Sequence, residues 1–180
     1  MLVVYKIRKN DETQHFLPED PADREKLMSA CVSKSEAWTP VRVYNAMPLL
    51  ARTDFYQWDE GYLIASAAAL SCLGGFFAEA GEVLPVDNDG ETYWLVNVLN
   101  CVDCLEHEHT EFDQFNLVRR ASFLRSCLPG PGLFKIPETR STAVYVLVDC
   151  TADETQDFKG EVERAGLMGI RFVEVWRGIE

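Results

Sequence analysis

The 180-residue sequence predicts an α+β fold, a single domain with a mainly antiparallel sheet and a few packed helices. Three observations predict it. Asp89-Gly90 stands between two apolar-rich runs, Glu82–Asp87 and Glu91–Val98, the strongest short-range sign of a tight hairpin. The remaining strand-like runs follow one another around turns instead of alternating with helices, which favours antiparallel pairing over a βαβ series. Hydrophobic residues make up 47% of the chain and aromatic residues 11%, enough to fill the core of one domain of this length and too much for a disordered chain.

Each element has its own warrant. Residues 2–8 are rich in β-branched and aromatic side chains and form an opening strand. Asp20-Pro21 supplies an N-cap followed by Pro at the first helical position, opening a helix to about Ser33 that buries Leu27, Ala30 and Cys31. Residues 34–62 hold two Pro and the aromatics Trp38, Tyr44, Phe55, Tyr56, Trp58 and Tyr62 at no clean period, so they read as loop-rich, with a short strand at Val41–Tyr44. Residues 66–80 are apolar on nearly all sides and read as a buried helix starting at Ser66, with a weak point at Gly74-Gly75 and a C-cap at Gly81. The hairpin follows, with Asn88-Asp89-Gly90 as its turn. Asn100–Glu108 is expected to be a helical turn. Residues 117–128 suit helix or strand and are closed by Pro129-Gly130-Pro131-Gly132. Leu133–Ile136 and Val144–Asp149 read as strands. Thr151 and Glu154 form a capping box for a helix that buries Phe158, Val162 and Ala165. Gly166 stops that helix, and Ile170–Trp176 closes the fold as a strand.

The formal net charge is −12. That excludes a chain built to grip phosphates, which needs a basic face, and one that docks on anionic lipid. The charge is also uneven. Residues 1–52 carry a net +1 and residues 119–180 balance, whereas between Arg52 and Arg119 there are 13 acids and no Lys or Arg. Ordinary solubility is met by interspersed signs. A single-sign cluster creates a field that steers an oppositely charged partner. The expected partner is a basic protein, most naturally one that itself binds nucleic acid.

The N-terminus lacks the basic region and cleavage site of a secretory signal, and no stretch approaches the ~18 uninterrupted apolar residues of a membrane span. A soluble, cytoplasmic protein is expected. The six cysteines then read as free thiols. Cys101, Cys104, His107 and His109 offer ligand types that zinc favours, which keeps a zinc module or small metal-dependent enzyme as an alternative. Against it, all four lie on one short segment, where a tetrahedral site normally draws pairs from two elements. The plain reading is a half-buried helical turn. No triad, phosphate loop or cofactor signature accompanies it, so neither catalysis nor a cofactor is expected.

The stretch Leu84-Pro-Val-Asp, a turn, and Tyr93-Trp-Leu-Val-Asn-Val-Leu-Asn-Cys-Val-Asp-Cys-Leu105 resembles the heart of immunity family eleven of the bacterial polymorphic-toxin systems, formerly a domain of unknown function. Phe158-x-x-x-Val-Glu-x-Ala165-Gly-Leu-x-Gly-Ile-x-Phe172-x-x-Val-Trp176 is similar to that family's closing helix, turn and strand. The resemblance covers residues 63–176, leaving 1–62 as a variable N-terminal part of one immunity-type domain. It implies a non-enzymatic cytoplasmic protein that binds and neutralises a cognate secreted antibacterial toxin, often delivered by type VI secretion. Nucleases among such toxins suit the charge argument. The family pattern has apolar or small residues where Cys101 and Cys104 stand, which tells against zinc.

Together these readings place the toxin-binding surface on Asp87, Asp89, Glu91, Asp103, Glu106, Glu108, Glu111 and Asp113. An acidic chaperone that holds an effector without inhibiting it is a further alternative, and a homodimer is left open.

Overall fold

The computed structural model describes residues 1–28, 30–57, 61–151 and 157–178. The fold is α+β, as the sequence predicts, with twelve strands in mostly antiparallel sheets among the described residues. The first sheet runs in the order β10 (Gly132–Phe134), β11 (Tyr145–Asp149), β1 (Leu2–Lys9) and β12 (Ile170–Arg177), antiparallel throughout. The second runs β2 (Phe16–Pro18), β3 (Val41–Asn45), β6 (Gly81–Asn88), β7 (Glu91–Val98), β5 (Leu63–Ala65) and β4 (Phe55–Tyr56), with β3 and β6 its one parallel pair. A two-stranded ribbon, β8 (Glu111–Phe112) and β9 (Val118–Arg120), stands apart.

Both large sheets are apolar on both faces, and the period-2 alternation of their strands sorts side chains into three cores. Ile7 of β1, Val146 of β11, and Val96 and Val98 of β7 meet in the first core, with helices α2 (Ala67–Ala80) and α3 (Phe158–Arg164). Tyr93 and Leu95, on the opposite face of β7, join Phe16, Val41 and Leu27 in the second. Val4, Tyr145 and Leu147, on the opposite face of the first sheet, join Cys104, Leu105 and Phe123 in the third.

Local chemistry explains most of the elements. Ser66 caps α2, its hydroxyl accepting from the Ala69 amide at 3.2 Å. The helix continues through Gly74-Gly75 without a break. It buries one face, Ala69, Leu73, Phe77 and Ala80, so the expectation of burial on nearly all sides is corrected: Ala67, Ala68, Ser71 and Cys72 are exposed. In the hairpin, Asn88 pairs with Glu91 around Asp89 (φ 51°) and Gly90 (φ 84°). Two consecutive positive φ values make the mirror-image turn whose twist matches the strands. Asp157 caps α3 through the Gly160 amide at 2.8 Å, and Gly166 (φ 65°) ends it. Phe158 and Val162 are buried, while Ala165 is exposed. Thr151 of the expected capping box instead donates its hydroxyl to Asp149 at 2.7 Å, so the helix starts later than expected, and Glu154 lies outside the described residues.

Two expectations fail where tertiary contacts override local pattern. The helix expected from Asp20 to Ser33 is a 3₁₀ turn, Pro21–Asp23, and one α-turn, α1 (Arg24–Leu27). The Lys34 ammonium donates to the carbonyls of Glu25, Lys26 and Met28 at 3.3, 2.5 and 2.6 Å, a cation on the helix's open end. Leu27 is buried, but Ala30 and Cys31 are only half-buried. The turn expected at Asn100–Glu108 is confined to residues 107–109, and the chain from Asn100 to Glu106 is extended: the Lys135 amide donates to the Asn100 carbonyl, and the Val102 amide to that of Lys135, both at 2.8 Å. On the other side the Leu124 amide donates to the Cys104 carbonyl and the Glu106 amide to that of Ser122, again at 2.8 Å. Residues 117–128 resolve into β9 and a 3₁₀ turn, Arg125–Cys127.

Candidate functional site

The β6–β7 hairpin and the segment leaving β7 position all eight acids singled out from the sequence. Asp87, Asp89 and Glu91 surround the hairpin tip. Asp103, Glu106, Glu108, Glu111 and Asp113 follow the opposite end, where Gly81 pairs with Val98. Seven residue steps separate those ends, about 23 Å at ~3.3 Å per step. The fold therefore makes two acidic groups of the eight, not one continuous patch.

Folding also brings cations to acids that stand far from any Lys or Arg in the sequence. Arg52 donates to both Glu91 oxygens at 2.5 and 2.7 Å and to the Tyr93 hydroxyl at 3.0 Å. Arg42 stands 3.6 Å from Asp87, whose carboxylate also accepts from the Gly90 amide at 2.9 Å. Arg119 stands 3.6 Å from Asp113 and Arg120 3.5 Å from Glu111. Glu106 accepts from the Ser122 hydroxyl at 2.8 Å and lies 3.2 Å from His109. The Ser122 hydrogen bond, opposed by some desolvation and aided by His109, holds the Glu106 carboxyl below its ordinary range. Among the described residues, Asp89, Asp103 and Glu108 have no ion-pair partner. Four of the eight meet an arginine, so the surplus charge rests on those three and on Glu106, whose neighbours are a hydroxyl and a histidine.

Asp113 has a structural task as well. Its carboxylate accepts from the amides of Phe115 and Leu117 at 2.8 and 3.0 Å, which keeps its pKa low and fixes the turn between β8 and β9. That turn presents Phe115, 73% exposed, and Leu117, 60% exposed. Exposed aromatics on a braced loop are the residue type that anchors protein interfaces, and the composition and charge reading did not find them. Nearby, a cleft of about 800 Å³ separates β9 from β12 and is lined by Arg119, Arg120, Glu174, Trp176 and Arg177.

The four zinc-type side chains are not brought together. In an extended segment residues three apart face opposite ways. Cys101 is exposed, whereas Cys104 is fully buried in the third core, where desolvation pushes its thiol up to about 12. His107 and His109 are exposed and face Glu138 and Glu106 at 3.3 and 3.2 Å. No group of three or more such ligands is assembled among the described residues.

Comparison with curated proteins gives no match. The model of an immunity protein family, Imm11, matches residues 36–176, starting within the part that the sequence reading set aside as variable and covering the hairpin, both acidic groups and β12. The match spans well over half of the chain, and the protein belongs to the Imm11 immunity protein family.

Proposed function

We propose that the protein binds a cognate antibacterial toxin and neutralises it inside the cell that makes both. Family membership over residues 36–176 is the observation that carries this reading. It acts by binding, without catalysis and without a cofactor. The toxin carries a basic surface, as nucleases do, and arrives by contact-dependent delivery such as type VI secretion. Support for a basic partner comes from the net charge of −12 and from Asp89, Asp103 and Glu108, whose charge no neighbouring cation offsets. The two acidic groups are its proposed contact surface. No described helix is long and apolar enough to cross a membrane, which accords with action in the cytoplasm.

The experiment is co-expression with the toxin domain encoded beside it. Growth rescue together with a stable complex is the expected result. A complex without rescue identifies a chaperone instead, and absence of a complex overturns the proposal.

A further inference from the structure

Residues 104–124 leave the third core as one excursion and return to it. Its base is closed where the Leu124 amide donates to the Cys104 carbonyl and the Glu106 amide to that of Ser122, and where Leu105 bridges to Phe123. β8 and β9 are its arms, and residues 113–117 are its tip. Four hydrogen bonds close the tip: Asp113 Oδ1 accepts from the Phe115 and Leu117 amides, the Asp113 amide donates to the Leu117 carbonyl, and the Asn116 amide donates to the Asp113 carbonyl. Asn116, at φ 60°, is a residue type that tolerates left-handed backbone. The bracing holds Phe115 and Leu117 out in water, at a cost that burial would relieve. Phe115 is the most exposed aromatic among the described residues. An anchor set in place beforehand loses little further freedom on binding.

Charge collects beside the same tip. Residues 103–124 hold five acids and two arginines, a net −3 with the histidines neutral. Nearby, Arg125 just past the base is matched in number by Glu138, which faces His107, and Arg177 pairs with Glu174, so neither couple cancels it. Of the eight proposed contact acids, Asp103, Glu106 and Glu108 meet no arginine here, and Asp89 alone meets none at the hairpin tip. Glu106 is bonded to Ser122, four residues from the start of β9 at Val118, about 13 Å at ~3.3 Å per residue. A standard interface covers about 800 Å² on each partner, a disc about 32 Å across, so one partner spans the tip and these acids together. Leu49 is more exposed than Phe115, but residues 44–51 around it hold no charged side chain.

We propose that Phe115 and Leu117 are the anchor by which the protein holds its toxin: they enter an apolar pocket on the toxin, and lysines or arginines on the rim of that pocket meet Asp103, Glu106 and Glu108. The partner's identity rests on the immunity reading. Of the two acidic groups, the one leading into β8 is the docking side.

The full chain and the purified toxin domain encoded beside it provide the test, read as association and dissociation rates together with growth rescue. Phe115→Ser with Leu117→Ser speeds dissociation at least about thirtyfold, the size of an interface hot spot, and leaves association nearly unchanged. Asp103→Asn with Glu108→Gln slows association about threefold at low salt, whereas Asp89→Asn does not. Leu49→Ser, the control for an exposed apolar side chain elsewhere, changes neither rate. The replaced side chains are exposed, so every variant keeps a melting temperature near wild type. A double serine variant that dissociates within about threefold of wild type, or a Leu49→Ser variant that dissociates as fast as the double variant, overturns the anchor. Rescue by the wild type then leaves the immunity function standing. An effect of Asp89→Asn as large as that of the Asp103 and Glu108 pair overturns the choice of docking side. If the wild type neither binds nor rescues, the immunity reading falls and the anchor falls with it.

Discussion

The Glu82 carboxylate and the Asn97 carboxamide are cross-strand partners on β6 and β7, joined by a 2.8 Å hydrogen bond, and together they hold the backbone of residues 32–35. Asn97 Nδ2 also donates to the Val32 carbonyl at 3.0 Å. Glu82 accepts from the Ser33 hydroxyl and from the amides of Lys34 and Ser35. Residues 32–35 precede the family match, and Glu82 and Asn97 lie within it. One polar pair thus ties the N-terminal segment to the hairpin.

Asn97 is fully buried, so its loss is expected to be felt. Asn97→Ala removes two donated hydrogen bonds to part-buried acceptors, at a net cost of about 0.5–1.5 kcal/mol for each bond. Urea unfolding reads the change in midpoint. Amide exchange should accelerate at residues 32–35 before it does in the hairpin. An unchanged midpoint would show that water replaces the carboxamide at no cost.

Glu82 gives the fold a pH dependence of known sign. Desolvation raises its pKa, but hydrogen bonds from Ser33, the Lys34 amide, Asn97 and Ser35 outweigh that and bring it down to about 2. Between that value and the ordinary carboxyl range near 4.5, the unfolded chain binds the proton and the folded one does not. Stability from this group is therefore complete above about pH 4.5 and is lost as pH falls toward 2. Glu82→Gln should lower the melting temperature at pH 7 and approach wild type near pH 2. A gap of constant size across that range would assign the stabilisation to shape and not to charge.

The hairpin and its turn were legible because Asp89-Gly90 demands positive φ at both residues, a purely local signal. Both ends of α2 and the C-terminal end of α3 were legible because Ser66, Gly81 and Gly166 act within one turn of themselves; the start of α3 was not, since Asp157 caps it. The helix after Asp20 and the turn after Asn100 were not, since their fates lie with distant residues: Lys34 ends the first, and Lys135, Ser122 and Leu124 stretch the second. For the candidate site, the acids were visible in sequence and their pairing was not. Arg42, Arg52, Arg119 and Arg120 flank the acidic stretch in the chain and fold back onto it. The exposed Phe115 leaves a faint trace in sequence, because Asp113 two residues earlier is the turn former that braces it.

Gly169 fixes where β12 begins against β4. Its φ is 110°, and a Cβ built there would lie 2.2 Å from the Phe55 carbonyl oxygen and 2.4 Å from Thr53 Oγ1. The neighbouring Met168 carbonyl accepts from the amides of Asp54 and Phe55 at 3.1 and 3.0 Å, so that backbone cannot retreat without losing both bonds. Gly169→Ala combines strain with overpacking and is expected to cost at least ~2 kcal/mol. Gly75→Ala, where nothing lies within 4 Å of the new methyl, is expected to be neutral or to stabilise α2 by up to ~1 kcal/mol. Paired thermal melts measure the contrast.

Cys101 and Cys104 look equivalent in sequence and differ in the fold. Cys104→Ser places a hydroxyl among Leu105, Phe123 and Phe134 in the third core, at a cost of about 1–3 kcal/mol. Cys101→Ser is exposed and should be silent to within about 0.5 kcal/mol. In the native protein a thiol reagent should label Cys101 and spare Cys104, which is buried and keeps its proton. Equal labelling would mean that the 100–106 segment opens readily.

Reversing charge at the toxin-facing acids separates steering from folding only if the right three are chosen. Glu91 and Asp113 brace Arg52 and the β8–β9 turn, so their replacement disturbs structure as well as charge. Asp89, Asp103 and Glu108 carry no such bonds among the described residues, so reversing them should cost little stability beyond about 1 kcal/mol for a lysine at the left-handed Asp89 position of the turn. With Asp89→Lys, Asp103→Lys and Glu108→Lys combined, the association rate with the toxin should fall about tenfold at low salt while dissociation changes little. The difference should shrink above ~0.1 M salt, where screening acts within about 10 Å. Asp89 sits at the hairpin tip and the other two follow its opposite end, with about 23 Å of hairpin between, so single variants report which acidic group the toxin approaches. An association rate and a salt slope that survive the triple reversal would place the contact surface elsewhere on the molecule.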